Sequence, residues 1–141
     1  MSALVRLFLV FMIVFVSLGC GGGTEPSTAT KPATASVQVT ETDSDGSVTL
    51  NPGDTLKVTL TSNASTGHHW IVIFLNQGIL QQTGAPDYEA DPNPKGLIGA
   101  GGKETFTFKA MAPGETSLEM NYRSPSNTPS DTNFNYSVKV S

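Results

Sequence analysis

Thr55-Leu56-Lys57-Val58-Thr59-Leu60-Thr61-Ser62 decides how the rest of the chain is read. Leu56, Val58 and Leu60 take every second position, with Lys57, Thr59 and Thr61 between them. Successive side chains of an extended strand point to opposite faces, so the stretch is a strand with one buried and one wet face. A helix would scatter the same three apolar residues around its circumference.

The same period recurs downstream. Phe106 and Phe108 alternate with Thr105, Thr107 and Lys109; Leu118, Met120 and Tyr122 with Glu119 and Asn121; Phe134, Tyr136, Val138 and Val140 with Asn135, Ser137 and Lys139. Trp70 to Leu75 is apolar on both faces, which reads as a central strand. Turn signals at Asp43 to Gly46, Asn51 to Asp54, Asn76 to Gly78 and Ala112 to Gly114 separate the runs, and no stretch of ten residues has a helical apolar face. About seven short strands over residues 36–141 predict an all-β chain, an antiparallel immunoglobulin-like β-sandwich, with a closed barrel as the alternative.

Upstream of residue 36 the character changes. Residues 1–19 carry one cation, Arg6, then an apolar run from Leu7 to Val16 that is short for a bilayer span and suits the apolar core of a secretory signal peptide. Cys20 follows a small residue, Gly19, and is the only cysteine, so it cannot form an internal disulfide. The placement resembles the bacterial lipoprotein signal, which implies acylation of Cys20 and attachment to a membrane of the cell envelope. Ser17 departs from the aliphatic residue usual in that pattern, and an ordinary signal peptide with an incidental cysteine is the other reading. Gly21 to Ala35 lacks any large apolar residue and reads as a flexible tether with a reach of roughly 20 Å.

The full chain has eight basic and twelve acidic side chains; without residues 1–19 seven basic ones remain, for a net charge of −5. No basic cluster is present. Nucleic acid is excluded as a partner on this ground, and any membrane attachment falls to the lipid.

Three connections are longer than a turn needs: Asn63 to Gly67, Thr83 to Gly102, and Arg123 to Thr132. Counted through a sandwich, they join strands of one sense and gather at one end, as antibody loops do. Each has a plain reading beside the functional one. Asn63-Ala64-Ser65-Thr66-Gly67 has the composition of a hairpin turn. Gly99 to Gly102 precedes a strand, Lys103 to Ala110, so it is not a phosphate cradle. His68 and His69 are neighbours in an extended segment, point to opposite faces and cannot readily share a metal ion; one belongs on the wet face and one at the loop rim. Trp70 reads as core, with its indole edge near the loop base. Asp87, Glu89 and Asp91 read as a solvated acidic loop, with a calcium site as the alternative.

Taken together, the three loops resemble the chagasin family of cysteine-peptidase inhibitors, over about Ser47 to Val140. The family's N-P-T-T-G motif, followed shortly by Trp, is matched by Asn63 to Gly67 with Trp70 three further on. Its G-x-G-G motif after an apolar residue is matched by Leu97-Ile98-Gly99-Ala100-Gly101-Gly102. Its third motif, R-P and an aromatic after a Tyr, is matched in part by Tyr122-Arg123-Ser124-Pro125-Ser126, where the arginine comes one place early and Ser126 replaces the aromatic.

The resemblance implies a monomeric, reversible inhibitor of papain-like cysteine peptidases that needs no cofactor and whose loops enter the active-site cleft as a wedge. Asn63, Ala64, Ser65, Thr66 and Gly67 would cover the catalytic cysteine, with Thr66 and Gly67 over the nucleophile. Gly99, Ala100, Gly101 and Gly102 would flank one side and Arg123, Ser124 and Pro125 the other. Losing the proline at Ala64 frees one backbone angle, a cost of about 0.4 to 1 kcal/mol. Losing the aromatic at Ser126 removes a contact of about 2 kcal/mol, so the third loop is the larger departure. The alternative function is a non-inhibitory immunoglobulin-like surface binding or adhesion module, to which Ser126 points. An enzyme is the poorest reading, since no nucleophile and base fall at a meaningful spacing.

Overall fold

The computed structural model describes residues 33–92, 95–96 and 99–141. The signal segment, Cys20, most of the tether, and Leu97 and Ile98 of the second motif lie outside the described residues.

Nine strands form among the described residues: β1 (Ser36–Thr40), β2 (Gly46–Leu50), β3 (Thr55–Ser62), β4 (His69–Phe74), β5 (Leu80–Gln82), β6 (Asp87–Ala90), β7 (Gly102–Ala110), β8 (Gly114–Arg123) and β9 (Pro129–Val140). One sheet has the order β1-β3-β7-β5, with β6 also on β7; the other has the order β2-β9-β8-β4. Alternating residues from the two inner faces make one core. Leu56, Val58, Leu60, Phe106 and Phe108 meet Leu118, Met120, Phe134, Val138 and Val140, all at most 2 % exposed. Replacing such a residue with alanine costs about 2 to 5 kcal/mol, a large share of the stability of a domain this size.

The β-sandwich is the architecture the period-two pattern predicts, and the structure refines it in five respects. The strands number nine, and not every pairing is antiparallel: β1 lies parallel to β3 and β2 parallel to β9. The segment Glu41 to Asp45, which opens with a short 3-10 turn, carries the chain from an edge of one sheet to an edge of the other and reverses it. Side-chain alternation is the same in parallel and antiparallel strands and cannot tell them apart.

Trp70 to Phe74 is an edge strand rather than a central one, paired with β8 only, and Ile73 and Phe74 are 49 % and 52 % exposed. An apolar outer face on an edge strand reads in sequence like a doubly buried one. Asp87 to Ala90, expected in a long loop, forms the exposed strand β6 on β7. The third connection is shorter than expected, because β9 begins at Pro129 and leaves only Ser124 to Thr128 between strands.

The connections β3–β4, β6–β7 and β8–β9 gather at one end. β3, β5 and β6 all run antiparallel to β7, and Ser62 pairs with Gly102, so the end of β3 lies beside the start of β7. His69 pairs with Arg123, which brings the start of β4 beside the end of β8. The chain comes in at the other end, where the Ala35 N–H donates to Asp54 Oδ1 at 2.8 Å, and Ser141 leaves it there beside Leu50.

Candidate functional site

The first loop is a single 3-10 turn, Ala64–Thr66, closed by Gly67 in the left-handed conformation at φ 74° and ψ 6°. Its short polar side chains close it internally. Thr66 donates both its N–H (3.1 Å) and its hydroxyl (2.7 Å) to Asn63 O, and Ser65 Oγ donates to Asn63 Oδ1 at 2.5 Å. These bonds restrict the backbone where the family's proline is missing at Ala64. Residues 64–67 remain exposed.

Tyr122 holds the base of this loop. Its hydroxyl accepts the Asn63 N–H at 2.8 Å, and its ring lies 5.2 Å from Trp70 and 5.4 Å from His68, centroid to centroid. Trp70 is core, 5 % exposed, with its indole N–H donating to Thr61 O at 2.9 Å, as expected of a ring edge at the loop base. His69 is exposed on β4, while His68 is half-buried on the Tyr122 ring.

The second loop joins the first through Asn63, whose Nδ2 donates to Gly99 O at 3.2 Å. Gly99 is exposed, and Ala100 and Gly101 are half-buried. Gly102 is different. It is buried in β7, where a Cβ would stand 2.5 Å from both Glu89 O and Tyr88 Oη. Its lack of a side chain admits the Tyr88 ring, and it does not reach the loop surface.

The third loop is a turn knit by hydroxyls. Asn127, at φ 60°, donates its N–H to Ser124 O at 2.8 Å, and the hydroxyls of Ser124, Ser126 and Thr128 form a chain with contacts of 2.8 and 3.0 Å. Arg123 Nη1 donates to Asn127 Oδ1 at 3.1 Å, so this guanidinium shapes its own loop. Pro125 covers the first loop, its Cγ 2.7 Å from where a Gly67 Cβ would stand.

The three motifs read from sequence are therefore brought together, through Asn63 with Gly99 and through Gly67 with Pro125. Sequence reasoning placed Tyr122 in the third motif without seeing that it carries the first loop, and Tyr88 gave no signal at all. The link to Asn63 spans 59 positions, and nothing in local spacing reports it.

Chemically, this edge can bind but offers no activated nucleophile. Thr66 Oγ1 and His68 Nδ1 are 2.9 Å apart, which looks like a hydroxyl and its base. The threonine proton goes to Asn63 O, however, so the imidazole must be the donor at that contact. Among the described residues no three His, Cys, Asp or Glu side chains gather to hold a metal ion. A surface concavity among the described residues lies away from the loops, on the outer face of the second sheet between Ser47, Phe74, Ser117 and Ser137.

Residues 49–140 match the model of the chagasin family of peptidase inhibitors. The chain is 27 % identical over 89 residues to amoebiasin-1 of Entamoeba histolytica, covering 63 % of this chain and 83 % of that protein. Among solved structures, it is similar to the cysteine protease inhibitor EhICP2 of Entamoeba histolytica, with a TM-score of 0.67 and 22 % identity over 79 % of this chain and all of that one. It is also similar to amebosin, with a TM-score of 0.62 and 26 % identity over 76 % and 98 % of the two chains.

Proposed function

The chain belongs to the chagasin family, whose members are peptidase inhibitors and not enzymes, and from that premise we propose that it reversibly inhibits papain-like cysteine peptidases by seating its three loops in the active-site cleft. The observation that carries this reading is the pair of cross-ties, Asn63 Nδ2 to Gly99 O and Pro125 on Gly67, which join three loops into one exposed edge. Loops held in shape before binding lose little entropy on docking, so an interface of ordinary protease–inhibitor size yields useful affinity. Thr66 and Gly67 stand over the catalytic cysteine. A 3-10 turn closed by a left-handed glycine coils the backbone there, so no extended scissile bond is offered.

The protein acts as a monomer held on the bacterial cell envelope by acylation of Cys20. The sequence around Cys20 supports the anchor, and so does the position of Ala35, at the end of the sandwich opposite the loops.

The second reading, a non-inhibitory surface binding module, draws on the third loop, where Ser126 sits in a hydroxyl chain and no aromatic is offered. Titration of residues 21–141 against papain and a cathepsin-L-like peptidase separates the two. No inhibition of either at high micromolar concentration overturns the inhibitor reading. Thr66→Arg should abolish inhibition at nearly unchanged thermal stability, and Cys20→Ala should release the protein from membranes.

A further inference from the structure

The loop carrying Thr66 and Gly67 is only as rigid as the strand ends it springs from, and both ends lie where a sheet stops. On one side β1 ends opposite Thr59, so the Thr61 N–H has no strand to pair with. Glu41, the first residue after β1, takes that place: its Oε2 accepts the Thr61 N–H at 2.9 Å and its Oε1 accepts the Thr61 hydroxyl at 2.5 Å. On the other side β4 is an edge strand, and the Trp70 N–H is turned away from β8. Glu104, only 9 % exposed, reaches across from β7 in the facing sheet and accepts that N–H at 3.0 Å.

We propose that Glu41 and Glu104 are positioning residues for inhibition: two carboxylates outside the loop itself that clamp its two ends. The inference rests on the reading of this loop as the peptidase-binding edge. A hydrogen bond to a carboxylate is roughly twice as strong as one between neutral groups, so each clamp restrains the backbone that follows it, and at Trp70, where the N–H is buried, losing the partner is costly as well. Thr61 links the two ends, because its carbonyl accepts the Trp70 indole N–H. Glu41 lies upstream of residues 49–140, the part that matches the family, so this chain's first strand and turn contribute to a site they do not form.

The test measures inhibition constants against papain and amide exchange across Thr61 to Trp70 for Glu41→Ala, Glu104→Ala and Glu104→Gln. Glu41 is exposed, and its alanine variant should fold normally, weaken inhibition about tenfold and speed exchange in the loop alone. Glu104→Ala should weaken inhibition at least as much and also lower the melting temperature. Glu104→Gln keeps a carbonyl oxygen for the Trp70 N–H and should recover most of both losses; if it behaves like the alanine variant, the hydrogen-bond assignment at that end is overturned. Unchanged inhibition together with unchanged exchange in Glu41→Ala overturns the clamp. If the wild-type protein inhibits neither peptidase, faster exchange confined to Thr61 to Trp70 upholds the clamp and removes only the peptidase reading.

Discussion

Pro125 closes over Gly67: a methyl group on the Gly67 α-carbon would stand 2.7 Å from Pro125 Cγ, and the Gly67 φ is 74°. Two separate demands thus fall on one residue, a left-handed backbone and room for a neighbouring ring. Gly67→Ala meets neither. The left-handed conformation alone costs an alanine about 1 to 2 kcal/mol, so the inhibition constant should rise by about 5- to 30-fold. An unchanged constant in a peptidase titration would place this loop pair off the interface.

Gly101 and Gly102 are neighbours with opposite expectations. A Cβ at Gly101 would find its nearest atoms at 3.4 and 3.6 Å, ordinary contact distances, whereas at Gly102 it would meet the Glu89 carbonyl oxygen and the Tyr88 hydroxyl at 2.5 Å. Gly102→Ala should cost about 1 to 3 kcal/mol of stability by overpacking, and Gly101→Ala should stay within about 0.5 kcal/mol of wild type. Chemical denaturation of the two variants checks this.

Tyr122→Phe removes the acceptor of the Asn63 N–H and keeps the ring contacts with Trp70 and His68. A neutral hydrogen bond is worth about 1 kcal/mol, so inhibition should weaken by about fivefold. Hydrogen exchange at Asn63 should quicken while the core amides keep their protection.

Ser126→Trp restores a large aromatic to an exposed turn whose backbone is already fixed by Asn127. If the third loop lies on the enzyme, the substitution should tighten binding by about 30-fold, the value of a hot spot of about 2 kcal/mol. No gain in a competitive inhibition assay would mean that the third loop stays clear of the peptidase.

Acid should act at the opposite end of the sandwich. The Asp54 carboxylate accepts the backbone N–H groups of Asn51 and Ala35, and these hold its pKa below the ordinary value. A group whose folded pKa is depressed stabilises the fold fully above its unfolded pKa, about 3.9, and loses that contribution as pH falls through the folded value. Stability measured below pH 4 should therefore drop in the wild type and flatten in Asp54→Asn. An identical acid limb in both would assign the drop to other carboxylates.

The strands were legible because a half-buried strand writes its two faces into consecutive residues: Leu56, Val58 and Leu60 need no distant partner to be read. Asn63 to Gly67 was legible as a turn, because a tight turn restricts residue types over four or five positions, and it and Gly99 to Gly102 stood out further only through the resemblance to the family. The edge position of Trp70 to Phe74 was not legible, because an apolar residue exposed on an outer face has the same letter as one buried in the middle of a sheet. Nor was the strand at Asp87 to Ala90, whose acidic residues look like a loop until the free side of β7 gives them a partner.

The amino-acid sequence by itself determined an all-β chain, through side-chain alternation, and carried three short motifs that the resemblance to the chagasin family picks out. Only the tertiary structure decided which residues make the motifs one edge. Tyr122 reaches Asn63 across 59 positions, Glu104 reaches Trp70 across 34 and Glu41 reaches Thr61 across 20. The first two bonds exist because two sheets pack face to face, and the third because β1 pairs beside β3 within one sheet; pairing and packing between distant segments leave no periodic trace in the order of residues.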